Sequence, residues 1–423
     1  MNQAATFSTI RTEIAEVSVL DLASTFETPT YVYDARKILQ RIEELRQFDV
    51  IRYAQKACSN LAILDLVRRH GVVVDAVSSG EIYRAQAAGF AATGTPPPIV
   101  FCADLFDRKA LKQVIALDIH VNVGSADMIE QLGKSGGPRN ISLRINPGFG
   151  HGHSQKTNTG GEQSKHGIWH DELESCLAVA QRHDLTVTGL HMHIGSGSDF
   201  EHLAQVCGAM EQCAQVVGSS LTSISAGGGL PVPYRAGEAS LDIGRYFELW
   251  DATRNRLVES FGHPVSLEIE PGRYLSAEAG YLITEIRAIK KMGANTFYLV
   301  DAGFNDLARP IMYGAYHPIS LTPKDGNVQR PSQPVVVGGP LCESGDIFTQ
   351  EEGGFVCTRE LPVANVGDFL VIECAGAYGF VMASNYNSRP LAAEVLLQGQ
   401  RAHQIRSRQS EADLISHEQI PVD

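Results

Sequence analysis

The sequence predicts an α/β protein: a (β/α)8 TIM-type barrel over residues 35–280, followed by a C-terminal all-β domain built from 281–423 together with 1–34. Three observations predict it. Strand-like and helix-like segments alternate from about residue 50 to 273, with eight strand candidates. Eight βα units in some 230 residues is the rhythm of a closed barrel, and the strand count favours closure over an open doubly wound sheet. After about residue 280 the pattern changes to short β-rich runs separated by Pro and Gly, with few long helices, as in a sandwich or small barrel.

In chain order, Thr30–Tyr33 is a strand candidate that precedes the barrel and could pair with the β-domain. Residues 50–56 alternate apolar with other side chains and close on Lys56. Residues 59–71 have helical spacing, with Ser59 as N-cap and Gly71 as stop. Further strand candidates are 72–78, 98–103, 118–123, 140–146, 186–196, 223–230 and 264–273. Helical stretches at 79–88, 107–117, 125–132, 170–182, 199–217 and 241–260 lie between them, several with Ser or Asp caps, including Ser79, Ser125 and Asp199. Residues 147–169 are rich in Gly, His, Ser, Thr and Asn and long for a loop, which suggests a lid. The β-runs are 281–290, 296–301, 334–339, 354–358 and 368–374, and the polar tail, residues 400–423, is expected to fray after its basic segment.

Composition narrows the function. Thirty-five basic against 48 acidic residues give a formal charge of −13, which argues against a nucleic-acid surface. No apolar run approaches the roughly 20 residues needed to cross a bilayer, so no membrane partner is expected. Met1 to Ile14 is polar and lacks the apolar stretch of a secretory signal. Eight scattered cysteines include no CxxC pair, which disfavours a zinc cage and suits free thiols in a reducing cytoplasm.

Strand parity then points inward. If Leu143, Leu190, Leu267 and their same-face neighbours meet the helices, the barrel interior carries Arg52, Lys56, Arg144, His191, His193, Glu268 and Glu270. So many ionisable groups are costly to bury unless they pair with one another or hold a polar ligand. Lys56 sits where a strand hands over to a helix, the edge at which parallel α/β proteins build active sites. Held out of bulk water there, a lysine can lose its proton and condense with an aldehyde.

Other segments fit an anionic cofactor. Gly227-Gly228-Gly229 ends the seventh strand and lets backbone N–H groups approach a phosphate. Glu270-Pro271-Gly272-Arg273 ends the eighth, offering a carboxylate and a guanidinium. His191 and His193 could bind zinc with Glu268, His151, His153 or His166, but that leaves the lysine and the glycine loops unexplained. Alternatively an imidazole stacks on a planar ring while Ser196 helps to hold phosphate. Farther on, Cys342-Glu343-Ser344-Gly345-Asp346 places a thiol in a polar turn, and Arg309 to Tyr313 and Gly376-Ala377-Tyr378 are weaker signals.

Taken in order and spacing, Tyr53 to Ala57, His191 to Ser196, Gly227 to Gly229, Glu270 to Arg273, Cys342 to Asp346 and Gly376 to Tyr378 give the chain a resemblance to a known family. From about residue 25 to 410 it resembles the diaminopimelate decarboxylases, fold-type III pyridoxal-phosphate enzymes related to alanine racemase and ornithine decarboxylase. The resemblance implies that Lys56 binds pyridoxal 5′-phosphate through its amine and that His193 stacks on the ring. It implies that Ser196, Gly228, Gly229, Gly272 in the Glu270–Arg273 turn, and Tyr378 seat the phosphate end, and that Glu270 pairs with the ring nitrogen. Arg273, Arg309, Tyr313, Glu343 and Tyr378 would hold the distal end of meso-2,6-diaminopimelate, with Arg309 on its carboxylate. Cys342 would protonate Cα, and Cys342 and Glu343 would come from the partner subunit of a homodimer. The implied reaction is decarboxylation at the D-centre to L-lysine and CO2. The alternatives are a decarboxylase of another basic diamino acid of the D-ornithine or D-lysine type, a racemase, or a non-catalytic regulatory homologue. Two departures touch the local pocket: Cys374 stands where relatives often have an acid, and Phe101 to Asp104 replaces an amide-rich strand end.

Overall fold

The structure, a computed structural model, describes residues 4–150, 159–193 and 199–421. It comprises two compact units: Leu39–Pro231 with Leu241–Leu275, and Met1–Ile38 with Val232–Ser240 and Ser276–Asp423.

The first unit is a closed parallel barrel. Its strands are β1 (Val50–Ala54), β2 (Val73–Ala76), β3 (Ile99–Ala103), β4 (His120–Val123), β5 (Asn140–Asn146), β6 (Thr186–His191), β7 (Ser223–Ser225) and β8 (Ser266–Ile269). Neighbours pair in chain order, and β8 returns to β1 through Glu268–Val50 and Ile269–Ile51, which closes the sheet. All eight expected strands are present, and several end early. The backbone leaves the ladder at Ala54, His191, Ser225 and Ile269, before the lysine turn, the glycine run and the proline turn.

Helices cover the outside at Leu61–Arg69, Ser79–Ala87, Arg108–Leu117, Ala126–Ser135, Leu173–Arg182, Phe200–Val217 and Ile243–Phe261. Ser125 and Asp199 cap as expected, but two caps shift by one residue. Asn60, not Ser59, accepts the Ala62 N–H, and Ser78, not Ser79, accepts the Glu81 N–H. Leu143, Leu190 and Leu267 are buried, at 0 to 1% exposure, each worth roughly 1.5–3 kcal/mol. The 147–169 segment is not wholly irregular, since Ile168–Trp169 forms a short parallel pair with Ile145 and Asn146 of β5.

The second unit is built around one long strand, Gly280–Met292. It pairs antiparallel with Thr30–Asp34, Asn295–Val300 and Phe369–Ile372. Ser332–Gly338 joins Asn295–Val300 in parallel, and Ala393–Gln398 joins Thr30–Asp34 in parallel. Ile14, Leu22, Val32, Ile283, Val371 and Val395 form its buried apolar cluster. One expectation fails here. Residues 354–358 make only an isolated bridge at Val356, and the strand is Arg359–Pro362. The basic segment of the tail forms a strand that was not assigned from the sequence: Arg401–Arg406 pairs with Ala393–Gln398, and Arg406 bonds the buried Glu394.

Candidate active site

The rim formed by the C-terminal ends of the barrel strands gathers most of the first unit's candidates. β1 stops at Ala54, and Lys56 lies in the one-turn 3-10 helix Gln55–Ala57. Strand parity therefore does not extend to Lys56, and its side chain is exposed rather than withdrawn from water. The turn is fixed from below, where Gln55 N–H donates to Asp75 Oδ1 at 3.2 Å and Gln55 Nε2 donates to the Asp75 carbonyl at 2.6 Å. Burial and the charge of Glu270 push buried Asp75 up to about 8, while Lys56 opposes that shift. Burial likewise raises Glu81, with Lys56 again opposing. Asp75 and Glu81 are thus the acidic neighbours of Lys56. Sequence reasoning missed both, although an aspartate inside the apolar strand Val72 to Val77 was a visible signal.

Glu270 is the best-defined group on the rim. His191 Nε2–H donates to one carboxylate oxygen at 2.9 Å, and Ser225 Oγ–H donates to the other at 2.9 Å. Burial works against the charge, but His191, Arg52 and Ser225 outweigh it and bring Glu270 down to about 2. A carboxylate offers about four lone-pair sites, so these two bonds leave acceptor capacity for a further donor. Deeper in the barrel, Arg52 closes on Glu268 at 2.9 and 3.2 Å and on the Pro97 carbonyl at 2.7 Å. The charged interior inferred from parity therefore has two parts: a self-paired layer at Arg52–Glu268 and an anionic rim at Glu270. A polar cavity of about 800 Å³, lined by Arg52, His120, Asn122, Ser142 and Glu268 among others, opens at the opposite end of the barrel from Lys56.

The two histidines divide their work. His193 Nδ1 accepts the Gly228 N–H at 3.1 Å, so the neutral ring carries its hydrogen on Nε2. Burial, with Arg144 and Lys56 nearby, holds His193 well below the usual histidine range. His191 is committed to Glu270, and among the described residues no group of three or more His, Cys, Asp or Glu could hold a metal. Gly228 therefore spends its N–H on His193 rather than offering it to an anion. A Cβ on Gly228 would lie 2.4 Å from the Glu270 carbonyl oxygen, and one on Gly227, at φ 64°, would lie 2.5 Å from the Met192 carbonyl oxygen. Only glycine lets these three strand ends approach so closely. Gly229 has φ 85°, Gly272 packs on Ala54 and Ala57, and half-buried Arg273 opens the short helix Arg273–Ser276. Ser196, His151 and His153 lie outside the described residues.

The long loop is tied down at its described ends. Asn146 accepts the Gly148 and Gly161 N–H groups at 3.1 and 2.9 Å and donates to the Gly161 and His166 carbonyls. Asp104 holds His166 at 2.5 Å and the Gly167 N–H at 2.9 Å.

The remaining candidates belong to the second unit. Arg309 begins the short helix Arg309–Tyr313 and is buried, and Tyr313 is half-buried. Tyr378 is half-buried at φ 58°, a conformation rare for a bulky residue. Cys342 and Glu343 are exposed in a turn shaped by Asp346, which accepts the Leu341 and Phe304 N–H groups. The Cys342 N–H donates to Asn387 at 2.8 Å. All eight cysteines are free, and Cys58, Cys102, Cys176, Cys207, Cys213 and Cys374 are buried.

Residues 35–277 match the family described as pyridoxal-dependent decarboxylase, pyridoxal binding domain. The diaminopimelate decarboxylase of Escherichia coli K12 is 54% identical over 409 residues, covering 96% of this chain and 97% of its own. A crystal structure of a diaminopimelate decarboxylase superposes with a TM-score of 0.92 at 55% identity, covering 94% of this chain and 95% of the other. The Helicobacter pylori diaminopimelate decarboxylase complexed with L-lysine superposes with a TM-score of 0.82 at 32% identity, covering 94% and 98%.

Proposed function

Since the chain belongs to the diaminopimelate decarboxylase family of pyridoxal-dependent decarboxylases, we propose how its own residues divide the work of the family reaction. The chain decarboxylates meso-2,6-diaminopimelate at its D-centre, giving L-lysine and CO2 in the last step of lysine biosynthesis, with pyridoxal 5′-phosphate as cofactor.

The first unit's rim suits that cofactor. An amine at Lys56 matches its aldehyde, a carboxylate held ionised at Glu270 matches a protonated ring nitrogen, and the close glycine turn leaves no side chain in the way. When bound, pyridoxal phosphate supplies an electron sink for the pair left behind as CO2 departs. Lys56 anchors the aldehyde carbon. Glu270 keeps a proton on the ring nitrogen, which strengthens the sink. His193, with its tautomer fixed by Gly228, presents its ring as a stacking surface. Ser196, Gly229, Gly272, Arg273 and Tyr378 seat the phosphate end.

Arg309 pairs with the substrate's distal carboxylate, and Arg273, Tyr313, Tyr378 and the partner subunit's Glu343 hold the rest of that end. A guanidinium matches a carboxylate bidentately. A site built around that pair rejects diamines lacking the group by orders of magnitude. The partner subunit's Cys342 delivers the proton to Cα. The protein works as a homodimer, and its many free thiols suit the cytoplasm.

The observation that carries this reading is Glu270, fixed as an anion between His191 and Ser225 on the rim that also bears Lys56. The test is Lys56→Ala. It should abolish both CO2 release from diaminopimelate and the visible absorbance of lysine-bound cofactor. Retention of that absorbance would refute Lys56 as the anchor.

A further inference from the structure

We infer that His317 is a positioning residue for substrate recognition: it aims the Arg309 guanidinium without neutralising it. The inference rests on the reading of Arg309 as partner of the substrate's distal carboxylate.

His317 is 3% exposed and Arg309 7%. His317 Nδ1 lies 2.9 Å from the Glu373 carbonyl oxygen, which can only accept, so Nδ1 carries the hydrogen. That leaves a lone pair on Nε2, and Arg309 NH1 donates to it at 2.9 Å. The same NH1 lies 3.2 Å from the Tyr234 hydroxyl, and the guanidinium carbon sits 5.0 Å over the Tyr234 ring. Tyr234 in turn meets the His317 ring edge-on at 5.6 Å. Imidazole, phenol and aromatic face are all uncharged, so these contacts fix the guanidinium while leaving its charge in place.

The Glu373 carboxylate is bound to other groups. Glu373 takes Arg11 in a two-point pair at 2.9 and 2.8 Å and Ser320 at 3.0 Å. Its backbone carbonyl, not its charge, reaches His317. A carboxylate in the place of His317 would satisfy Arg309 within the protein and weaken its pull on a substrate anion. The fork of an arginine is specific only when its plane is held, and His317, together with Tyr234, holds one arm.

L-Lysine keeps the distal carboxylate of diaminopimelate, whereas cadaverine, a diamine of the same length, lacks it. That difference separates a role through Arg309 from a role in folding. In His317→Phe, which keeps an aromatic ring but removes both polar contacts, KM for diaminopimelate and the inhibition constant of L-lysine should rise about tenfold. That is the scale of one hydrogen bond to a charged group. kcat should change less, and inhibition by cadaverine should move by less than about twofold, since it makes no such contact. His317→Gln, which can accept from Arg309 and donate to Glu373, should restore most of the loss. Equal weakening of L-lysine and cadaverine, or no change in L-lysine, overturns the inference. Arg309→Ala is the control for the underlying reading. If it leaves L-lysine inhibition unchanged, Arg309 does not bind the carboxylate and that reading falls first. If it weakens L-lysine while both His317 variants do not, only the role of His317 is overturned.

Discussion

Two carboxyl groups in one barrel, half-buried Glu270 and buried Asp75, are driven in opposite directions. Glu270 is brought down to about 2 by His191, Arg52 and Ser225 against the effect of burial, and Asp75 is pushed up to about 8 by burial and the charge of Glu270. Their linkage to stability therefore has opposite signs. For Glu270 the folded state favours the anion, so its stabilisation is present above about 4.5, the ordinary value, and is lost as pH falls towards about 2. For Asp75 the folded state keeps a proton that the unfolded chain releases from about 3.8, so stability falls as pH rises from there to about 8. Asp75→Asn should remove that second slope, because the amide oxygen can still accept the Gln55 N–H. Thermal melts of variant and parent should converge near pH 4, with the variant melting several degrees higher at pH 8.5. An equal or lower melting temperature at pH 8.5 would contradict the assignment. At this scale the sequence was partly legible. Alternation along β1, β6 and β8 placed Arg52, His191 and Glu268 inside, because a two-residue period survives wherever the ladder does. It misjudged Lys56 because the ladder ends at Ala54 and the chain turns into a 3-10 helix.

At the scale of elements, the site depends on how closely three strand ends meet. β6, β7 and β8 converge through Met192, Gly227, Gly228 and Glu270, with Glu270 N–H donating to the Gly227 carbonyl at 2.8 Å. Gly228→Ala would drive a methyl group to 2.4 Å from the Glu270 carbonyl oxygen and must part β7 from β8. We expect cofactor affinity to fall at least tenfold, about 1.4 kcal/mol, with the barrel still folded. Cofactor titration beside far-UV circular dichroism would check it, and unchanged affinity would show that the close approach is dispensable. The existence of the eight barrel strands was legible because each is an apolar run between turn residues. Their ends were not, since a ladder stops where its neighbour stops, which no single segment encodes. Arg401–Arg406 was missed for a related reason. A polar edge strand resembles a tail until its partner, Ala393–Gln398, and the anchor Glu394 are known.

For the whole molecule, the residues assigned to one reaction are split between two units and, on our reading, between two subunits. Lys56 belongs to the barrel unit, while Cys342 stands exposed on a turn of the β unit, with its backbone held by Asn387 and its neighbours by Asp346. That turn is preorganised by hydrogen bonds yet open to solvent, as suits a group donated across an interface. Symmetry makes the assignment testable. In a two-fold dimer whose sites each combine Lys56 of one chain with Cys342 of the other, a heterodimer of Lys56→Ala and Cys342→Ala has one doubly defective site and one intact site. Random assembly makes about half the dimers mixed, so co-expressed variants should recover about a quarter of the parental activity, although each alone is nearly inactive. If both groups came from the same chain, every site in the mixed dimer would carry one lesion and no activity would return. Co-expression with two different affinity tags, tandem purification of the mixed dimer and a CO2-release assay distinguish the two arrangements. In the shared arrangement the purified heterodimer should show about half the activity of the parent.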